Sequence, residues 1–146
     1  MKHFNFWQKW LLVMSILFVL MALSLPVSSL LNIEVSYINA AFWKNGIVPT
    51  TEAKAFQAWI YGVVGALSAT FGLFIYFVAG NSFKAREKWA WNCLAICISV
   101  WFVIDTFFSV YFGVYTNAFN NVILYVLLML PLMFTRKDFA LQLEGE

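Results

Sequence analysis

The chain has 146 residues, 63% of them hydrophobic and only 11% charged, with a net charge of +2. A soluble domain of this size carries about twice that charged fraction. Here the apolar excess falls into four blocks separated by short polar stretches, which leaves no room for a separate soluble domain. No basic patch with interleaved aromatics lies outside the apolar blocks, so nucleic-acid binding is not expected.

Residues 1–10 (MKHFNFWQKW) are basic and aromatic, with Phe4, Phe6, Trp7 and Trp10 suited to the headgroup level of a bilayer. The first apolar block follows, and a first spanning helix is expected over 11–30. A cleaved signal peptide is the competing reading, because Val27-Ser28-Ser29 offers a small-residue cleavage site. The retained helix is favoured, since the apolar run is long for a signal and continues past Ser29 into Leu30 and Leu31.

Residues 31–55 form the longest polar connection. Residues 39–45 read as a short helix stopped by Gly46, with Phe42 and Trp43 on the membrane surface. The Pro49-Thr50-Thr51-Glu52 run reads as a helix start, with Thr51 as the cap. A second spanning helix is expected over 56–79. On it Gly62, Gly65, Ala66, Ser68, Ala69 and Gly72 share one arc, the pattern that lets another helix approach closely. Gly80 and Asn81 are stop signals before a short basic loop.

The third spanning helix is expected over 89–115, a tight turn over 116–119, and the fourth helix over 117–134 with Pro131 near its far end. The fold class is therefore all-α: an integral-membrane antiparallel four-helix bundle forming a single domain over 1–146. Lys2, Lys9, Lys84, Arg86, Lys88, Arg136 and Lys137 fall on one side, and only Lys44 and Lys54 on the other. The positive-inside rule then puts both termini in the cytoplasm. Trp7, Trp10, Trp89 and Trp91 would make an inner aromatic belt; Trp43, Trp59, Tyr61, Tyr111 and Tyr115 would make an outer one.

Asp105 is the one Asp, Glu, Lys, Arg or His inside any apolar block. An acid at such depth is costly, and it faces a bundle interior, a partner or a cavity. Its helical face includes Trp101, Phe102, Phe108, Ser109 and Phe112. Counting back from the loops sets Gly62, Gly65, Ser24 and Tyr125 near its depth, with Tyr61 as a further hydrogen-bonding candidate. A carboxyl beside glycines and ringed by aromatics points to a lipid-like or aromatic small molecule, or a partner helix, held near Asp105. The alternatives are a membrane enzyme acting on a lipid with Asp105 as general acid, and a small transporter subunit. The bland reading is that Asp105 bonds to Ser24, Tyr61 or Tyr125 and pins helix contacts.

Asn92, Ser99, Thr106 and Gly113 recur every seven residues, which suits a left-handed helix contact or self-association as a homodimer. Cys93 and Cys97, spaced i, i+4, read as buried inert thiols. His3 is the single histidine, and GxSxG and HExxH are absent, so neither a metal site nor hydrolytic chemistry has support, and no cofactor is expected.

Five stretches together look familiar: Ala58-Trp59-Ile60-Tyr61-Gly62; Arg86-Glu87-Lys88-Trp89-Ala90-Trp91; Trp101-Phe102-Val103-Ile104-Asp105-Thr106; Gly113-Val114-Tyr115-Thr116-Asn117 with Asn121; and Leu130-Pro131-Leu132 with Thr135-Arg136. Over about 56–136 the chain resembles a group of small four-helix bacterial membrane proteins without an assigned activity. The resemblance implies that topology and a bacterial inner-membrane location, and no reaction.

Overall fold

The computed structural model describes residues 2–31, 36–43 and 48–140. Among them the chain is all-helical, in the order α1 (Lys2–Leu30), α2 (Ser36–Phe42), α3 (Thr51–Gly80), α4 (Lys88–Tyr111) and α5 (Tyr115–Ala140). All but α2 are long and apolar enough to cross a membrane, as the helices of a multi-pass membrane protein are.

The helix ends follow local chemistry. α1 begins well before the expected 11–30 span, because the aromatic leader has partners of its own. Trp7 stacks on Phe134 with centroids 4.7 Å apart, and the Trp10 indole donates to the Leu127 carbonyl at 3.1 Å. That carbonyl is free because Pro131, four residues on, has no N–H to give it. α5 therefore runs on through Pro131 to Ala140 rather than stopping near 134. Trp10→Phe keeps the ring and removes the donor, so we expect a loss of about 1 kcal/mol in thermal or denaturant unfolding. In a Pro131→Ala background the new N–H takes the carbonyl, and the same substitution should cost much less.

α2 starts earlier than the expected 39–45, and Lys44 and the Gly46 stop lie outside the described residues. The cap of α3 is Thr50 rather than Thr51: its backbone is extended, and its hydroxyl accepts from the Ala53 N–H at 3.2 Å. Asn81 closes α3 as read from the sequence. The third long helix ends at Tyr111, short of the expected 115. Gly113 is the reason, with φ +75° in the left-handed region. The Val114 N–H reaches back to the Ser109 carbonyl at 2.8 Å, and the Gly113 N–H to that of Val110 at 3.1 Å. This pair of bonds is a Schellman stop. Gly113 is thus a turn residue, not the fourth member of a helical stripe, and α5 starts at Tyr115 rather than 117.

α1 touches α3 along its length and also meets α5; α4 packs on α5; α3 and α4 scarcely touch. Half of the small arc of α3 is therefore spent on α1, not on its successor in sequence. Gly65, Ala69 and Gly72 are buried there. A Cβ on Gly65 would lie 2.6 Å from Pro26 Cδ, and one on Gly72 2.6 Å from Val19 Cγ2. Ser99 and Thr106 face α5, through the Tyr125 hydroxyl at 3.3 Å and the Asn121 amide at 3.5 Å. Ser99 and Thr106 are thus engaged within the chain, whereas Asn92 of the same stripe and Ala66 of the small arc are exposed.

The dry core fills one end of the molecule. Leu11 from α1, Ile75 from α3, Leu94 and Ile98 from α4, and Leu128 and Leu132 from α5 are all closed off, with Phe83 of the α3–α4 turn. Phe83 packs on Phe139 at 4.8 Å and on Phe4 at 5.7 Å. Arg86, held at φ 62°, lays its guanidinium 4.7 Å from the Phe4 ring. The opposite end, under α2, has no such core. The outward faces stay apolar: Leu20, Leu67, Ile96, Val103 and Phe107 are each 60% or more exposed. Cys93 and Cys97 are free and half-buried rather than buried.

Candidate functional site

Where the dry core stops, the helices line a partly open cavity of about 520 Å³, within the usual range for a small-molecule site. Its floor is aromatic. Phe18 and Trp101 meet edge to face at 5.6 Å, with Phe71 behind them at 6.2 Å from Phe18. Its walls are Met21, Ala22 and Leu25 of α1, Ile60, Val64 and Ser68 of α3, Trp101 and Phe108 of α4, and Phe112 just past its end. Its roof is α2, which contributes Ile38 and Phe42; Phe42 lies 5.8 Å from Phe112. A second network holds that roof. The Gln57 amide donates to Asn39 of α2 at 2.8 Å and to the Tyr61 hydroxyl at 2.7 Å.

Besides the hydroxyls of Ser24, Tyr61 and Ser68, a polar cluster around Asp105 breaks the apolar lining. Asp105 sits two turns before the Gly113 stop, and the first turns of α5 come back alongside it. The Asn117 amide donates to Asp105 Oδ1 at 3.1 Å and to Ser109 Oγ at 2.8 Å. The Ser109 hydroxyl lies 2.7 Å from the Asp105 carbonyl oxygen and 3.3 Å from its Oδ1. Its one proton is shared between them. Asn120, Asn121 and Val114 complete this side. Among the described residues no hydrogen bond engages Asp105 Oδ2, and no buried side-chain oxygen or nitrogen lacks a partner, so Oδ2 is not closed off.

Of the residues read from the sequence as the site, Asp105, Trp101, Phe108, Ser109, Phe112, Tyr61 and Ser24 line this cavity. Phe102, Tyr125, Gly62 and Gly65 do not. Phe102 turns away to stack on Tyr125 at 4.2 Å. Tyr125 lies too far along α5 because the turn comes at Gly113. Asp105 is eight residues before that glycine, so its level on α5 is near Asn121, and Tyr125 pairs with Ser99 instead. Gly65 faces the Pro26 ring of α1, and nothing lies within 4 Å of a Cβ on Gly62. The expected bonds from Asp105 to Ser24, Tyr61 or Tyr125 are replaced by those to Ser109 and Asn117. Ser24 donates to its own helix, at Met21 O, at 2.6 Å. Tyr61, placed in the outer aromatic belt by its sequence position, is buried and turned inward.

The residues missed were Asn117, Asn120 and Asn121. Their spacing, i, i+3 and i+4, was a legible signal of one polar helix face. It lost meaning once the turn was placed over 116–119. Chemically, the site offers one carboxyl, uncharged amide and hydroxyl groups, and aromatic side chains. Asp105 and Tyr61 are its only ionisable side chains among the described lining residues. No group of three His, Cys, Asp or Glu comes together among the described residues. Comparison of the chain with family models, with curated proteins and with solved structures finds no match.

Proposed function

We propose that this is a multi-pass membrane protein whose four long helices form an antiparallel bundle, and that its cavity binds a lipid-like or aromatic small molecule. The contact pairs support the antiparallel sense. Gln8 meets Ala79, Ser15 and Phe18 meet Gly72, and Ala22 and Pro26 meet Gly65, so the numbers run in opposite directions. A surface that exposes Leu20, Leu67, Ile96, Val103 and Phe107 is suited to acyl chains and not to water. Lys9 and Lys84 border one polar groove with Asn5 and Asn81, at the end where the sequence places the cytoplasm. The resemblance over 56–136 favours a bacterial inner membrane.

The observation that carries the ligand-binding reading is the scarcity of contact between α3 and α4. The α1–α3, α1–α5 and α4–α5 pairs close, whereas this one leaves the aromatic cavity between Val64 and Ser68 on one side and Trp101 and Phe108 on the other. A hydrophobic molecule would reach it from the bilayer through that gap, without crossing water.

Filling the cavity tests this. Ser68→Trp adds a large ring to a half-buried lining position. Mass spectrometry of lipids co-purifying in mild detergent should show one amphiphile enriched at least ~10-fold over bulk phospholipid with the native protein, and lost in the variant. Bulk phospholipid alone, identical in both proteins, would overturn the reading.

A further inference from the structure

The charged group of the cavity is an acceptor, the Asp105 carboxyl. The Asn117 amide hydrogens are spent on Asp105 and Ser109, and the Ser109 proton is spent on Asp105. The Asn121 amide donates to Thr106 across the α4–α5 contact at 3.5 Å. Asp105 Oδ2 is left without a hydrogen bond among the described residues, beside the Asn117 side-chain carbonyl and the uncharged Ser68 hydroxyl and Asn120 amide, which also line the cavity. No Lys, Arg or His lines the cavity among the described residues, so nothing in the chain neutralises the carboxyl. Around it stand Trp101 one turn below, Phe108 beside it, and Phe112 stacked 6.4 Å from Phe108. Aromatic faces carry negative potential and attract a cation, most strongly where water is excluded. A ligand that completes this site supplies N–H donors and positive charge at its polar end, and an apolar body for the floor at Phe18 and Trp101.

We propose that the cavity selects an amphiphile whose polar end is a protonated amine, held by Asp105 Oδ2 and the Asn117 carbonyl among the rings of Trp101, Phe108 and Phe112. This rests on the ligand-binding reading above and names the class of ligand. An anionic amphiphile would meet the carboxyl and the ring faces with the wrong sign. A neutral alcohol offers one donor and no charge, so it gains neither the ion pair nor the cation–π attraction.

The test is scintillation-proximity binding of tritiated dodecylamine to the full chain in phosphatidylcholine nanodiscs, with Ser68→Trp protein as background and dodecanol and dodecanoate as competitors. Native protein should bind the amine saturably, and neither competitor should displace it at tenfold excess. Asp105→Asn keeps an acceptor for Asn117 and removes the charge, and should weaken amine binding at least ~10-fold. Phe108→Leu acts at a half-exposed ring. It should weaken amine binding several-fold and keeps the test open if the Asn variant folds poorly. Equal competition by dodecanol, or unchanged amine affinity in folded Asp105→Asn protein, would overturn the amine assignment while the cavity reading stands. Equal binding of every amphiphile to native and Ser68→Trp protein would overturn both.

Discussion

Replacing Gly65 by alanine is expected to destabilise the protein by about 3 kcal/mol, at the upper end of overpacking costs. The added methyl carbon would sit 2.6 Å from Cδ of Pro26 and 2.9 Å from the Ala22 carbonyl oxygen. Neither obstacle yields easily. One is a ring fused to the backbone. The other is the carbonyl that Pro26 leaves without its helical partner, so the chain at this level is already fixed by its own proline. Denaturant titration in mixed micelles measures the loss. Gly62→Ala is the control: nothing lies within 4 Å of its new carbon, and the change should stay within about 0.5 kcal/mol. Gly65→Ala combined with Pro26→Ala should recover part of the loss, because the ring contact goes while the carbonyl contact remains. If Gly65→Ala and Gly62→Ala unfold alike, α1 and α3 do not meet as described.

The second large effect is expected at Asn117. Its amide makes the two bonds that tie the first turn of α5 to the last turns of α4, one of them to Asp105. Asn117→Leu leaves the Oδ1 of a half-buried acid with only the shared Ser109 hydroxyl. We expect a loss of about 1–3 kcal/mol, the cost of stranding a polar group rather than the smaller net worth of an average membrane hydrogen bond. Asn120→Leu removes no hydrogen bond and lies at an exposed position, so it should be nearly neutral. Combining Asn117→Leu with Asp105→Leu should restore stability relative to Asn117→Leu alone, because both partners are then apolar. Additive losses in the double variant would show that the two side chains are not coupled.

Much of this architecture was legible before any coordinates. The four long helices follow from apolar run length, and the closeness of α3 to a neighbour follows from the spacing of Gly65, Ala69 and Gly72. Which neighbour was not legible. A small stripe states that a backbone comes close, and only Pro26, whose ring fits a missing Cβ, points to α1. The turn between α4 and α5 was misplaced because Gly113 was read through its seven-residue spacing from Asn92, Ser99 and Thr106. Its positive φ makes it punctuation instead. That single error moved the depth of every α5 residue relative to Asp105. It put Tyr125 into the site and left Asn117 and Asn121 out. Trp101, Phe108 and Phe112 line the cavity with Asp105 as their shared face implied, because they lie on α4 or at its C-cap and need no register between helices. Phe102 failed for a related reason: one helical face is broad enough to serve both the cavity and the contact with Tyr125.

The central claim is that an apolar chain enters from the bilayer between α3 and α4 and ends against Phe18 and Trp101. Photolabelling tests it most directly. A fatty amine with a diazirine at the end of its chain would be irradiated with the full-length protein in nanodiscs, and the labelled peptides mapped by mass spectrometry. The account predicts label on Val64, Trp101 and Phe18, suppressed by excess unlabelled dodecylamine and lost in Ser68→Trp protein. Label confined to the outward faces, at Leu67, Ile96 and Val103, and insensitive to competitor would contradict it.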